Sequence, residues 1–216
     1  MYAILLLVFL GYLVLRHSRY IDDEAMLIPR RLGDRLTKLW EIAHYGMREN
    51  RLLRAEKALL TILKIDEKNA AAYNRLGILY AKQREYRDAI DCFEIASSIE
   101  PSASSLHNLG LIYYETENYE KAATAFEQAL KLEDKLAARH IAYAKVQEKL
   151  GNDKLMLHEL EKACELEPNN ETHNLLLAAY EARGMSDDAA KVRRKLNRLA
   201  PSAQPKRILR PKRVVV

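Results

Sequence analysis

The sequence predicts an all-α protein, an α-solenoid of stacked helix pairs preceded by a single N-terminal transmembrane helix, and three observations lead there. Ala, Leu, Glu, Lys and Arg dominate, and the 216 residues hold only seven glycines and six prolines, a composition that favours helix throughout. Punctuating residues return at a fixed interval: Gly77 and Gly110, Gly151 and Gly184, and Pro168 and Pro201 are each 33 residues apart. In a helical composition, such a period marks one helix hairpin per repeat. Finally, an uncharged apolar run opens the chain, ahead of the first repeat.

That run covers residues 1–15, of which ten are Leu, Ile, Val or Phe. Each is worth about −0.3 to −0.6 kcal/mol at the centre of a membrane helix, and no charge offsets the sum. Fifteen helical residues span about 22 Å against a hydrocarbon core of about 30 Å, so bilayer thinning and snorkelling of Arg16 and Arg19 are expected to absorb the mismatch. A cleaved signal peptide is the rival reading, but no basic segment precedes the run and no small-x-small site follows it. Arg16, Arg19, Arg30 and Arg31 all follow it, in a basic juxtamembrane linker over residues 16–35. The positive-inside tendency then places the N-terminus outside and the remainder in the cytoplasm, as a single-pass membrane protein. A bacterial inner membrane is the expected location.

The net charge of +5 conceals a division. From Lys191 onward there are ten basic residues and no acidic one, whereas residues 1–190 carry 25 basic against 30 acidic. An acidic body and a basic tail imply different surroundings for the two. Cys92 and Cys164, the two cysteines, fall in helical stretches about two repeats apart. They are expected to stay unpaired as small apolar residues, which suits a reducing compartment.

Residues 70–102 carry Tyr73, Leu76, Gly77 and Tyr80, then Ala89, Phe93, Ala96 and Pro101. Small Gly77 and Ala89 let two antiparallel helices approach, Tyr80 and Phe93 are placed to fill the gap to the next pair, and Pro101 ends the second helix. This set resembles a tetratricopeptide repeat. Residues 103–136 keep Leu109, Gly110, Tyr113, Ala122, Phe126 and Ala129. Residues 137–169 match less well, with Gln147 and Met156 off pattern, and residues 170–202 recover Leu176, Tyr180, Ala189 and Pro201, with Arg193 where an aromatic belongs. Residues 36–69 form a degenerate first unit in which Gly46 replaces a tyrosine. The resemblance implies a right-handed solenoid of about four to five helix-turn-helix repeats over residues 36–202.

It also implies that the first helix of each pair lines a concave groove that binds peptides or helices of partner proteins. The residues expected there are Asn74, Ile78 and Lys82, then His107, Asn108, Leu111 and Tyr114, then Ile141 and Lys145, then Asn174, with Ala81, Glu115, Lys149 and Ala178 beside them. Amide side chains both donate to and accept from a peptide backbone. Some members grip a C-terminal carboxylate with a Lys and Asn set; here Ile78 and Leu111 interrupt it, so recognition by shape and apolar anchors is expected instead.

No phosphate loop, zinc-protease helix, Cys-x-x-Cys pair or nucleophile triad is present, so no enzyme activity and no cofactor are expected. His107, His140 and His173 recur every 33 residues, a spacing that puts them on successive helix pairs, too far apart to converge on one metal ion. Residues 203–216 form a basic tail that Pro205 and Pro211 keep from being helical. Its Lys206, Arg207, Arg210, Lys212 and Arg213 suit an anionic surface such as lipid. Two functions stay open: a non-catalytic, membrane-tethered scaffold or adaptor that binds partner proteins, and a nucleic-acid or ribosome-associated adaptor using the basic C-terminal region. That region lacks the aromatics on which single-stranded bases stack.

Overall fold

The structure is a computed structural model that describes residues 32–199. Among them every regular element is an α-helix, in agreement with the all-α expectation. The chain forms two compact units, one ending at Pro101 and the other beginning at Ser102.

The first unit holds α1 (residues 32–48), α2 (Leu52–Ile65), α3 (Ala70–Gln83) and α4 (Tyr86–Ile99). Its core joins Ala43 and Met47 of α1 to Ala55, Ala58, Leu59 and Ile62 of α2 and to Ala72, Leu76 and Leu79 of α3. Within α2 these spacings of three and four residues trace one helical stripe. Alanine recurs in the core because close helix contact leaves no room for more. Gly46 answers the same demand, since a Cβ there would stand 3.0 Å from that of Ala55.

The second unit holds α5 (Ala103–Glu115), α6 (Tyr119–Leu132), α7 (Ala137–Lys149), α8 (Asp153–Leu166), α9 (Asn170–Ala182) and α10 (Ser186–Leu199). Successive helices pack as hairpins, α5 on α6, α7 on α8 and α9 on α10, and α6 also meets α7 while α8 meets α9. Side-chain caps start several helices: Asn69 accepts from the Ala72 amide at 2.9 Å, Ser102 from that of Ser105 at 3.1 Å, and Asn169 with Thr172 forms a reciprocal capping box. Each satisfies a backbone donor that the helix itself leaves unpaired.

The glycines that mark the period perform two separate tasks. Gly77 and Gly110 lie inside first helices, and a Cβ on either would come within 2.7–3.0 Å of the ring of Phe93 or Phe126. Each phenylalanine therefore fills the space inside its own hairpin, where the gap to the next pair had been expected. Tyr80 instead turns back, donating its hydroxyl to Glu56 of α2 at 3.1 Å. Gly151 and Gly184 sit in the loops between paired helices with φ of +74° and +68°. The other pair loops place Asn50, Arg84 and Glu117 in the same left-handed state, with φ of 57° to 64°. The five positions recur every 33 or 34 residues. In each loop the next amide reaches a carbonyl five residues back at 2.7–3.0 Å, a Schellman closure.

The expectation of a single-pass membrane protein is overturned among the described residues, where no helix is long and apolar enough to cross a membrane. Helices α2 to α10 have 13 or 14 residues each and an exposed polar face. Fourteen residues rise only about 21 Å against about 30 Å of hydrocarbon. The placement of the N-terminus outside, the array in the cytoplasm and the whole in a bacterial inner membrane falls with that reading. The apolar run 1–15 and most of the linker 16–35 lie outside the described residues, as does the tail 203–216.

Candidate functional site

In the first unit, Asn74, Ile78 and Ala81 of α3 are half-buried and Lys82 is exposed. Ile78 packs against the core cluster rather than standing clear of it. The ammonium of Lys82 lies 3.5 Å from the Met47 carbonyl, where a cation complements the C-terminal end of α1.

In the second unit, the expected residues divide by depth. His107 presents its ring edge to Phe126 at 5.4 Å, and its buried Nδ1 has no hydrogen-bond partner. Burial, and secondarily the charge of Arg139, hold its pKa below the usual imidazole range. His107 is thus a neutral packing residue. Asn108 is half-buried, and Tyr114 is half-buried with its ring edge to Tyr119 at 5.7 Å. Leu111 remains 39% exposed, an apolar residue facing solvent on α5.

On α7 and α9 the expected residues come together. Ile141 and Lys145 of α7, with Ala144 and Glu148, face Leu175, Ala178, Ala179 and Ala182 of α9 across a cleft of about 330 Å³, floored by Met156 and Leu160 of α8. Asn174 stands exposed on α9, one turn before Ala178. The cleft exists because four alanines line it where larger side chains would close it. Glu148 lies 3.8 Å from Arg183, whose Nε donates to Asp153 at 2.7 Å, so the two carboxylates share one guanidinium and the charge of Glu148 is only partly offset. Lys145 is exposed and makes no ion pair among the described residues.

The weakest repeat also carries a buried polar layer. His140 Nδ1 is 2.7 Å from Glu159 Oε2, and its Nε2 is 2.8 Å from the Asp134 carbonyl. Next to it Arg139, with only 4% of its side chain exposed, pairs with the Glu133 carboxylate at 2.8 Å and donates to the Glu133 carbonyl at 3.0 Å. These two side chains fasten the α6–α7 junction, where Asp134 stands in place of the repeat's proline. His173 donates from Nδ1 to the Asn169 carbonyl, 2.9 Å away. The three periodic histidines thus serve three different local structures.

A larger channel of about 660 Å³ runs along the opposite face of α9, between α8 and α10. Glu161 and Glu165 line one wall, Lys191, Lys195 and Arg198 the other, and Cys164, Leu176 and Tyr180 lie between. Tyr180 donates its hydroxyl to Glu161, and Lys191 pairs with Asp188 at 2.7 Å. Neither this channel nor the α8 floor of the apolar cleft is visible when first helices are read singly, because second helices supply much of their lining. The spacing of Glu161 and Glu165, and of Lys191 and Lys195, is the signal that α8 and α10 each carry a charged stripe.

The basic run that suggested nucleic acid or lipid gains no support here. Of its described members, Lys191 and Arg193 are engaged by Asp188 and Glu181, while Lys206, Arg207, Arg210, Lys212 and Arg213 lie outside the described residues.

Comparison with known proteins rests on the helix pairs. Models of the tetratricopeptide repeat match residues 70–102 and 103–136. No curated protein matches the chain. Among solved structures, a MamA protein is 22% identical, with a TM-score of 0.68 over 77% of this chain and 92% of its own. MamA from Desulfovibrio magneticus RS-1 is 16% identical, with a TM-score of 0.70 over 80% and 98%. YrrB, described as a tetratricopeptide protein with an unusual peptide-binding site, is 20% identical, with a TM-score of 0.63 over 74% and 84%. At these identities the likeness is one of fold. Together with the paired helices, the matches identify residues 70–136 of this chain as two consecutive tetratricopeptide repeats.

Proposed function

We propose that this protein is a non-catalytic scaffold or adaptor that binds partner proteins through the faces of its first helices. The observation that carries the reading is the apolar cleft between α7 and α9, which joins Ile141, Lys145 and Ala178 across two repeats. An open apolar trough with a few polar groups at its rim suits a peptide or helix more than a reacting small molecule. Leu111, exposed on α5, and Tyr114 extend the available apolar surface within the same unit. The peptide-binding site described for YrrB supports the same use of a related fold.

The test is crosslinking in intact cells from a photoreactive residue placed at 141 or 178, compared with one at the exposed position 132 of α6. Discrete protein adducts at 141 and 178, unaffected by high salt, are expected, and those from position 178 should be lost on Ile141→Arg. Adducts only at 132, or none at any position, overturn the reading.

A further inference from the structure

We infer that the α7–α9 cleft takes one bulky apolar side chain from a partner segment that carries a carboxylate side chain about one helical turn away, set against Lys145. The inference rests on the scaffold reading and specifies the chemistry of the partner.

Shape limits the occupant first. The cleft, at about 330 Å³, lies at the small end of ligand sites, which run from about 300 to 1,000 Å³. Its walls are Ile141, Ala144, Leu175, Ala178, Ala179 and Ala182, above Met156 and Leu160. No buried polar group within it calls for a hydrogen bond, so a Leu, Met, Ile or Phe side chain fills it without stranding a donor or acceptor. The alanines at 178 and 182, one turn apart on α9, let a partner backbone come near enough for its side chain to reach the floor.

Charge then selects the neighbour. The cleft's lining holds two charged residues, Lys145 and Glu148. Glu148 and Asp153 share the single guanidinium of Arg183, which leaves a charge of −1 on that side of the rim against the two cations Lys145 and Lys149 on α7. Lys145 has no such partner, and Lys149, one turn further along α7, is also exposed without an ion pair among the described residues. A segment anchored in the cleft therefore meets uncompensated positive charge along α7. An acidic residue near the anchor is favoured and a basic one disfavoured, which sets specificity more than affinity.

The experiment is selection of a randomised peptide library on the immobilised full chain, followed by fluorescence anisotropy with individual synthetic peptides. Recovered peptides should share a large apolar residue with Asp or Glu about three or four positions away. Replacing the anchor by Ala, or introducing Ala178→Glu, should weaken binding about tenfold or more. Lys145→Glu should weaken the acidic peptide and strengthen its counterpart with Lys at that position. Both protein changes are at exposed positions, and unchanged circular dichroism verifies the fold. Peptides that bind indifferently to Ala178→Glu and Lys145→Glu overturn the inference but leave the scaffold reading standing. A recovered motif with basic neighbours overturns the inference too, and recovery of no peptide overturns both.

Discussion

Replacing Gly77 by alanine probes the contact on which the helix hairpin depends. A Cβ at this position would stand 2.7 Å from Cε1 and 2.8 Å from Cδ1 and Cζ of Phe93, against an optimal carbon separation of about 3.5–4.0 Å. The ring is 1% exposed, so relief requires a shift of packed side chains or of α4 itself. Overpacking of this kind costs about 1–3 kcal/mol. Alanine also gains about 1 kcal/mol of helix propensity over glycine. The balance is a net destabilisation of about 1 kcal/mol, or roughly 2–4 °C in Tm for a chain of this size. Urea unfolding followed by circular dichroism measures it, and Phe93→Leu supplies the control. Shortening the ring should make Gly77→Ala less costly, with a favourable coupling of about 1 kcal/mol in the double-mutant cycle. If Gly77→Ala raises stability by the full propensity gain with Phe93 intact, the close-approach explanation of this glycine is wrong.

Three further outcomes are expected. Glu117→Gly and Arg84→Gly should each stabilise their unit by about 1 kcal/mol in chemical denaturation, because these residues hold a left-handed φ that costs non-glycine residues about 1–2 kcal/mol, and Gly151→Ala should do the reverse. Glu159→Leu, which removes the carboxylate facing His140 where the two side chains are only 10% and 9% exposed, should cost about 3 kcal/mol and increase hydrogen exchange over residues 133–140; an unchanged exchange pattern would show that the layer does not fasten this junction. Cys92, whose thiol is pushed up to about 11 by burial and then by Asp88 and Asp91, should resist a thiol reagent at pH 8 while half-buried Cys164 reacts. Its un-ionised form favours the folded state, so that contribution is intact below about pH 9 and is lost between about 9 and 11; equal labelling of the two thiols in the native chain would contradict the burial.

The helix-pair architecture was legible in the chain because it follows from local rules. Period, capping residues and the apolar stripe each constrain the nearest three or four residues. Gly77, Gly110, Phe93 and Phe126 announced the hairpins, although they did not disclose that each ring packs inside its own pair. The recurrent loop conformation was half hidden: Gly151 and Gly184 marked it, whereas Asn50, Arg84 and Glu117 adopt it without a glycine to signal it. The candidate cleft was legible only in part. Ile141, Lys145 and Ala178 fall on the expected faces of first helices, but Leu175, Met156 and Leu160 complete the cavity from positions that a single-helix reading assigns to packing.

Sequence by itself determined that the described chain would be helical and paired at a period of about 33, since backbone propensity, helix termination and the spacing of small residues are properties of short segments. Tertiary structure alone decided which side chains meet. Whether His107 faces outward or leans on Phe126, whether Glu148 stands alone or shares Arg183 with Asp153, and whether four alanines leave a gap or a closed seam depend on how neighbouring hairpins are set against one another. That setting is the sum of many weak contacts between residues far apart in the chain, and no single stretch of sequence encodes it.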